Sequence, residues 1–206
     1  MKNIQTLSEW IYRLAVVNIY FLFGTLLGGV IFGIGPAAAA MYGTISRYLE
    51  EETKESSWKI FWGCYRKYFF RANGLFLTAA VLGAVLSMNF YVSFRLEGLP
   101  GSMLLGLNFF LLVMYLIFVF YALPILAYKN YSAVHAAMYS FIYAFSTPVL
   151  TAAAAGSIVI VHYILFLFPV LYLFFIVSLP GLLITSVTIH AADLPRLKKT
   201  KQHILV

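Results

Sequence analysis

The chain has 206 residues, of which 63% are hydrophobic and 10% are charged, and its formal net charge is +7. Soluble domains carry about 25% charged residues, so this composition excludes an ordinary soluble domain and favours a bilayer as solvent. A single cysteine, Cys64, excludes an internal disulfide and a cysteine-rich metal site. The basic residues are scattered over short polar segments, which indicates membrane topology rather than a nucleic-acid-binding face.

Four stretches of the sequence contain no Asp, Glu, Lys or Arg: 14–46, 74–94, 98–128 and 130–192. Each is long enough to cross a bilayer, because ~20 helical residues span the hydrocarbon region. The sequence therefore predicts an all-α fold, a polytopic helical transmembrane bundle of five or six helices with short loops. Residues 1–206 form a single helical membrane domain in this prediction.

In chain order, the predicted elements begin with an amphipathic lead-in over Leu7–Arg13. The first apolar run is longer than a normal signal-peptide core, so it is expected to be retained. A weakly amphipathic stretch, Lys129–Pro148, is predicted to be an interfacial helix. The predicted spans are 14–32, 74–94, 102–128, 149–168 and 170–192, with a short return helix at 36–50 as the candidate sixth.

The stretch 14–46 is too long for one span and short for two, so two arrangements stay open. In the first, one helix crosses the membrane and the alanine-rich helix lies at the boundary. In the second, the two helices form a hairpin, and Arg47 then lies near mid-membrane unless it is buried or reaches the interface, which is costly for a charge. The side of the membrane that holds the N-terminus depends on this choice.

Cytoplasmic loops carry an excess of Lys and Arg. The 47–73 segment holds six basic residues, 129–147 holds one and the 193–206 tail holds four, whereas the 95–101 turn holds only Arg95. Alternating spans put the first three segments on one side. We therefore expect a multi-pass plasma-membrane protein whose 47–73 segment and C-terminal tail are cytoplasmic.

The stretch "GVIFGIGPAAAAMYG", 29–43, interrupts the first apolar region with its smallest residues. Glycines four residues apart let another backbone approach closely in an apolar helix. The last glycine–proline pair is expected to reverse or redirect the chain. The predicted helix-packing joint comprises Gly24, Gly28, Gly29, Gly33, Gly35 and Pro36.

No Asp or Glu falls within a predicted span, no His-Glu-x-x-His motif occurs, and Ser157 and His162 lie on different faces of their helix. The sequence therefore predicts no catalytic residue, no cofactor, no metal site and no enzymatic activity. Polar residues inside spans have two interpretations: hydrogen bonding between helices, or the lining of a polar path. The candidates for such a path are Asn18, Asn89, Asn108 and His162.

The basic and aromatic run "YRKYFFR" is predicted to form a helix along the membrane surface, contacting lipid headgroups. Docking of a soluble partner is the alternative. The candidate contact residues are Trp62, Tyr65, Arg66, Lys67 and Arg71.

Two stretches, "AVVNIYFLFGTLLGGVIFGIGPAAAAMYGTISRYL" and "FWGCYRKYFFRANG", resemble the YesL-like family of bacterial membrane proteins, which is common in Firmicutes and of unknown function. The resemblance is specific over roughly residues 10–75, and Ala38 departs from a position where the family often has Thr. The matching positions are Asn18, Gly33, Gly35, Pro36, Ala37, Ala39, Ala40, Phe61, Trp62, Tyr65, Arg66, Lys67, Phe69, Ala72 and Asn73.

The resemblance implies no catalytic residues. It implies an accessory or regulatory role, because such genes often neighbour carbohydrate uptake systems and sensor kinases. We therefore expect a non-enzymatic partner of carbohydrate uptake or sensing that contacts membrane lipids, with a transporter, a sensor kinase or a second copy of the chain as partner and no nucleic acid. The alternative is a small channel or carrier with a polar path through the bundle.

Overall fold

The computed structural model describes the backbone of residues 2–50 and 55–204 and the side chains of residues 8–50 and 55–193. Parts of the predicted 47–73 segment and of the 193–206 tail lie outside these residues. The described residues contain helices and no strand, which confirms the all-α class. The helices are α1 (Lys2–Leu27), α2 (Ile31–Leu49), α3 (Ser57–Arg95), α4 (Gly98–Lys129), α5 (Ala133–Ser146), α6 (Pro148–Phe166), α7 (Pro169–Phe175) and α8 (Ser178–Ile204).

The first two helices form an antiparallel hairpin. The ring of Trp10, near the start of α1, lies edge-on to Tyr48 at the end of α2, with ring centroids 6.4 Å apart. The guanidinium carbon of Arg13 lies 5.0 Å from the centre of the Tyr48 ring. Of the two arrangements that the sequence left open for residues 14–46, the structure adopts the hairpin.

Helix α2 lies at the centre of the bundle and packs against α1, α3, α4 and α8. Its small residues make this position possible: Ala37, Ala39 and Ala40 are fully buried, and Gly43 faces the Cys64 sulfur of α3. With so little side-chain volume, four neighbouring helices approach one backbone closely. Many large apolar side chains of the described residues, among them Leu26, Phe70 and Phe94, lie exposed on the outside, as expected where lipid is the solvent.

Helix α3 is continuous over 39 residues, about 58 Å at 1.5 Å per residue. The prediction of a separate surface helix at "YRKYFFR" is therefore wrong. Phe61, Tyr65, Tyr68 and Ala72 recur at helical spacing and are buried in the bundle, so this run continues directly into the apolar half of α3. Gly74 does not interrupt it, because a glycine in a helix costs only about 1 kcal/mol.

The C-terminal half departs from the predicted elements at two places. The predicted interfacial helix, α5, packs one face on α4 and buries Ala136, Ser140 and Tyr143. The predicted last span, 170–192, is broken after α7, and the pair α7–α8 bends by 44°. Among the described residues, four helices (α1, α3, α4 and α6) are long and apolar enough to cross a bilayer, or five with α7–α8 as one broken span. The sequence predicted five or six spans. The candidate sixth span, the return helix at 36–50, corresponds to α2, which is not one of these helices.

Candidate functional site

The chain reverses at Gly28–Val30, between α1 and α2. Gly29 and Val30 both have positive φ, 69° and 65°. The Ile31 N–H donates to the Gly29 carbonyl at 2.9 Å, which makes Val30 the centre of a strained γ-turn. The predicted reversal at Gly35–Pro36 is wrong: α2 runs through Pro36, the sixth residue of the helix, which lacks the N–H for one helical hydrogen bond there.

The glycines of the predicted joint differ in what they contact. A Cβ at Gly28 would lie 2.3 Å from the Gly33 Cα, and a Cβ at Gly33 would lie 2.2 Å from a backbone oxygen of α1. At Gly35 it would lie 2.9 Å from a carbonyl oxygen of α3, and at Gly24 3.2 Å from a tyrosine ring. Gly29 has open space around it and serves the turn through its backbone conformation alone. Among these glycines, Gly28 and Gly33 are therefore the two that approach each other.

Val30→Gly is expected to stabilise the protein. A β-branched residue is strained at positive φ, glycine is not, and the half-exposed Val30 side chain buries little surface. Relief of this strain corresponds to about 1 kcal/mol and a higher unfolding midpoint in mild detergent. The matched control is Val81→Gly, at an exposed position inside α3, which is expected to lower the midpoint. Equal losses in both variants would contradict the strained turn.

The Asn18 side chain forms hydrogen bonds across the break between α7 and α8. Its side chain is fully buried, its Nδ2 donates to the Leu173 carbonyl at 2.8 Å, and its Oδ1 accepts from the Val177 N–H at 3.2 Å. These two backbone groups are four residues apart and would bond to each other in an unbroken helix. The carboxamide takes the place of that missing hydrogen bond, which leaves neither group unpaired in apolar surroundings.

The four residues of the predicted polar path are not brought together. Asn108 is fully buried and its Nδ2 donates to Ser93 Oγ at 2.7 Å, which joins α4 to α3. Asn89 lines an apolar cavity of about 380 Å³ between α3, α4 and α5. The Nδ1 of His162 lies 2.9 Å from a carbonyl oxygen one turn earlier in its own helix. Asn18 and Asn108 therefore join helices at two separate places.

The five candidate contact residues of α3 point in different directions. Tyr65 is buried and donates to a backbone carbonyl of α1 at 3.0 Å, and Trp62 is half-buried among aromatic rings of α1 and α3. Arg71 reaches an amide oxygen in the α4–α5 connection at 3.4 Å. Arg66 and Lys67 are both exposed and line two different concavities. Trp62 and Tyr65 thus hold α3 in place, whereas Arg66 and Lys67 remain accessible.

The concavity beside Lys67 has a volume of about 490 Å³ and lies where the end of α2, the start of α3 and the end of α4 meet. We call it the charged cleft and define it by Arg47, Glu50, Glu55, Lys59 and Lys67. Arg47 Nη1 lies 3.6 Å from Glu55 Oε2, and both side chains are largely exposed. An exposed pair of this kind contributes little to stability.

Charges of both signs at one exposed place are suited to recognising a complementary surface, since they set specificity and speed association. Within the described residues, no group of three His, Cys, Asp or Glu side chains is placed to hold a metal ion. The cleft therefore presents basic and acidic side chains together at one exposed place.

Comparison with known proteins places the chain among relatives of undetermined activity. Residues 14–90 match the family described as "Protein of unknown function, DUF624". The uncharacterized protein YteU of Bacillus subtilis (strain 168) is 32% identical over 127 residues, which cover 60% of this chain and 55% of YteU. The uncharacterized protein YesL of the same organism is 25% identical over 191 residues, 92% of this chain and 90% of YesL. The resemblance to the YesL-like family is confirmed.

A further uncharacterized YesL-like relative of this organism, YesV, is 30% identical over 140 residues, 63% of this chain and 66% of YesV. The chain thus spans about half of YteU and two thirds of YesV in these alignments. No solved structure matches it. The DUF624 match covers α2 and most of α1 and α3, so it includes Asn18, the reversal and the α2 and α3 walls of the cleft.

Sequence reasoning missed four members of the site: Arg47, Glu50, Glu55 and Lys59. The available signal was that charges flank the uncharged stretches at the ends of several predicted helices. That pattern does not state which helix ends converge, because convergence depends on the packing of α2, α3 and α4. Only the fold brings the five charges of the cleft together.

Proposed function

We propose that this protein is a non-enzymatic accessory or regulatory partner of a carbohydrate uptake or sensing system in the plasma membrane. The observation that carries the proposal is the charged cleft, which gathers charges of both signs at one end of a mostly apolar bundle. Such a surface favours a specific protein contact. The YesL-like resemblance supports the choice of partner, a transporter or a sensor kinase, because such genes often neighbour carbohydrate uptake systems and sensor kinases.

The proposed orientation puts the charged cleft and the C-terminal tail in the cytoplasm. Arg13 and Arg47 lie at the open end of the α1–α2 hairpin, and Lys129 Nζ lies 3.7 Å from Asp193 Oδ1. Arg95 is at the other end of α3. The concentration of basic residues at one end supports this orientation by the positive-inside rule.

The alternative of a small channel or carrier is not favoured. It required Asn18, Asn89, Asn108 and His162 to converge on one water-accessible cavity. Asn18 and Asn108 instead complete hydrogen bonds between helices, and the cavity beside Asn89 is almost wholly apolar.

Lys67→Glu is expected to weaken the proposed complex about tenfold, since reversing one charge of a complementary pair is worth roughly 1.4 kcal/mol or more. The tagged full-length protein is isolated in mild detergent from its own cells growing on the inducing carbohydrate. Co-purifying transporter and sensor-kinase subunits are then quantified by mass spectrometry.

Arg95→Glu is the matched control, because it makes the same charge reversal at the opposite end of α3 and is expected to leave the yield of partner unchanged. Membrane levels of both variants are measured alongside. Recovery of the protein alone, or with only further copies of itself, overturns the proposal. Equal losses of partner in both variants overturn the assignment to the charged cleft.

A further inference from the structure

A second concavity adjoins the charged cleft along α3, shares Lys59 and Gly63 with it, and differs from it in chemistry. It has a volume of about 560 Å³ and lies between α1 and the first turns of α3. We call it the aromatic groove; its walls are Phe23, Leu27, Trp58, Lys59, Trp62, Gly63 and Arg66.

The apolar wall of the groove is a cluster of aromatic rings. The ring centroids of Phe23 and Trp62 are 6.2 Å apart, and those of Trp58 and Trp62 are 5.3 Å apart, both edge-on. Packing of this kind fixes the rings in place. The indole N–H of Trp62 is buried and has no hydrogen-bond partner among the described residues, so a donor remains unused in this wall.

The charge of the groove has one sign. Lys59 and Arg66 line it, and no acidic side chain of the described residues does. They are seven residues apart on α3, which places them on one face, about 10 Å apart along the helix axis. The charged cleft, by contrast, mixes three basic residues with two acidic ones. Among the residues that the structure describes, an anion therefore meets no opposing acidic group in the walls of the groove.

The groove is also continuous with an exposed apolar surface. Phe23 is 47% exposed, Leu27 is 61% exposed and Leu26 beside them is 68% exposed, all on α1. Tryptophan together with Lys or Arg is typical of the membrane–water interface. A ligand that suits this surface has a negative head and hydrocarbon chains.

We propose that the aromatic groove binds an anionic phospholipid, with the headgroup phosphate between Lys59 and Arg66 and the acyl chains on Phe23 and Leu27. Guanidinium and ammonium groups are the usual protein partners of phosphate. A free phosphate ion would make no contact with the apolar wall. We therefore prefer a phospholipid to a free phosphate ion as the ligand. The two sites share Lys59, but the inference does not rest on the proposed function, because it requires no protein partner.

The tryptophans of the groove supply a direct readout. The chain has three tryptophans, and Trp10→Phe leaves fluorescence from Trp58 and Trp62 alone. The full-length Trp10→Phe protein is reconstituted into phosphatidylcholine vesicles that contain brominated phosphatidylglycerol or, at the same mole fraction, brominated phosphatidylcholine. Bromine on the acyl chains quenches nearby indoles, so stronger quenching by phosphatidylglycerol is expected.

In the same background, Arg66→Gln is expected to weaken the preference for phosphatidylglycerol about fivefold, at roughly 1 kcal/mol for each basic residue near an anionic surface. Lys67→Gln is the matched control: it removes the neighbouring charge, which lines the charged cleft, and is expected to keep the preference. Near-UV circular dichroism identifies a misfolded variant, and Arg66→Met, which also removes the charge, then replaces Arg66→Gln.

Three results would overturn the inference. Equal quenching by the two brominated lipids shows that the groove does not select anionic headgroups. Equal effects of Arg66→Gln and Lys67→Gln show a general surface charge rather than a site. Loss of the preference on adding millimolar inorganic phosphate, but not the same ionic strength of chloride, assigns the groove to a soluble phosphate instead of a lipid.

Discussion

Gly33→Leu is expected to prevent accumulation of the folded protein. A Cβ at Gly33 would lie 2.2 Å from the Thr25 carbonyl oxygen and 2.8 Å from the Thr25 Cα, so the clash is with backbone and not with a movable side chain. The helices would have to separate at the reversal, which costs about 3 kcal/mol or more. Membrane levels and the unfolding midpoint in mild detergent measure the effect.

Gly156→Leu is the matched control, because it makes the same change in an apolar helix where nothing lies within 4 Å of an added Cβ. It is expected to leave both quantities close to those of the unmodified protein. Gly35→Leu is expected to be harmful as well, since its Cβ would approach an α3 carbonyl. Normal levels and midpoints for Gly33→Leu would refute close packing of the α1–α2 hairpin.

Asn18→Leu is expected to destabilise the C-terminal part of the bundle by about 2 kcal/mol. The change preserves much of the volume but leaves the Leu173 carbonyl and the Val177 N–H without their side-chain partner. Hydrogen exchange in detergent micelles, followed by mass spectrometry, is expected to become faster at residues 173–178. The unfolding midpoint is expected to fall as well.

Asn108→Leu is the comparison, because it also removes a fully buried amide but one that bonds to Ser93 on α3. Exchange at residues 173–178 is expected to stay unchanged in that variant. If Asn18→Leu leaves exchange there unchanged, or if both variants accelerate it equally, the amide does not stabilise the break.

The all-helical fold follows from local composition, because uncharged stretches of about 20 residues have few stable alternatives in lipid. The position of the chain reversal between α1 and α2 did not follow from local composition. Glycine and proline at Gly35–Pro36 are a stronger local signal than Val30, which disfavours positive φ. The turn forms at Val30 because Gly28 and Gly33 allow the two backbones to meet just beside it.

The full length of α3 could also not be predicted from local sequence patterns. Hydropathy divides it into a basic half and an apolar half, but the buried stripe from Phe61 to Ala72 continues across the division. The partners of Asn18 were likewise unpredictable, since polar residues in spans show that hydrogen bonds are needed but not where they are made. The charged cleft required the same long-range information.

The two hydrogen bonds that the Asn18 side chain makes at the break between α7 and α8 also constrain the order in which the bundle assembles. Its two partners are 155 and 159 residues further along the sequence. At synthesis rates of about 5–20 residues per second, α1 emerges roughly 8 to 30 seconds before α7 and α8. Throughout that interval the Asn18 amide needs a temporary partner, such as water or the insertion machinery. Assembly of this membrane protein therefore ends at a residue that was among the first to be made.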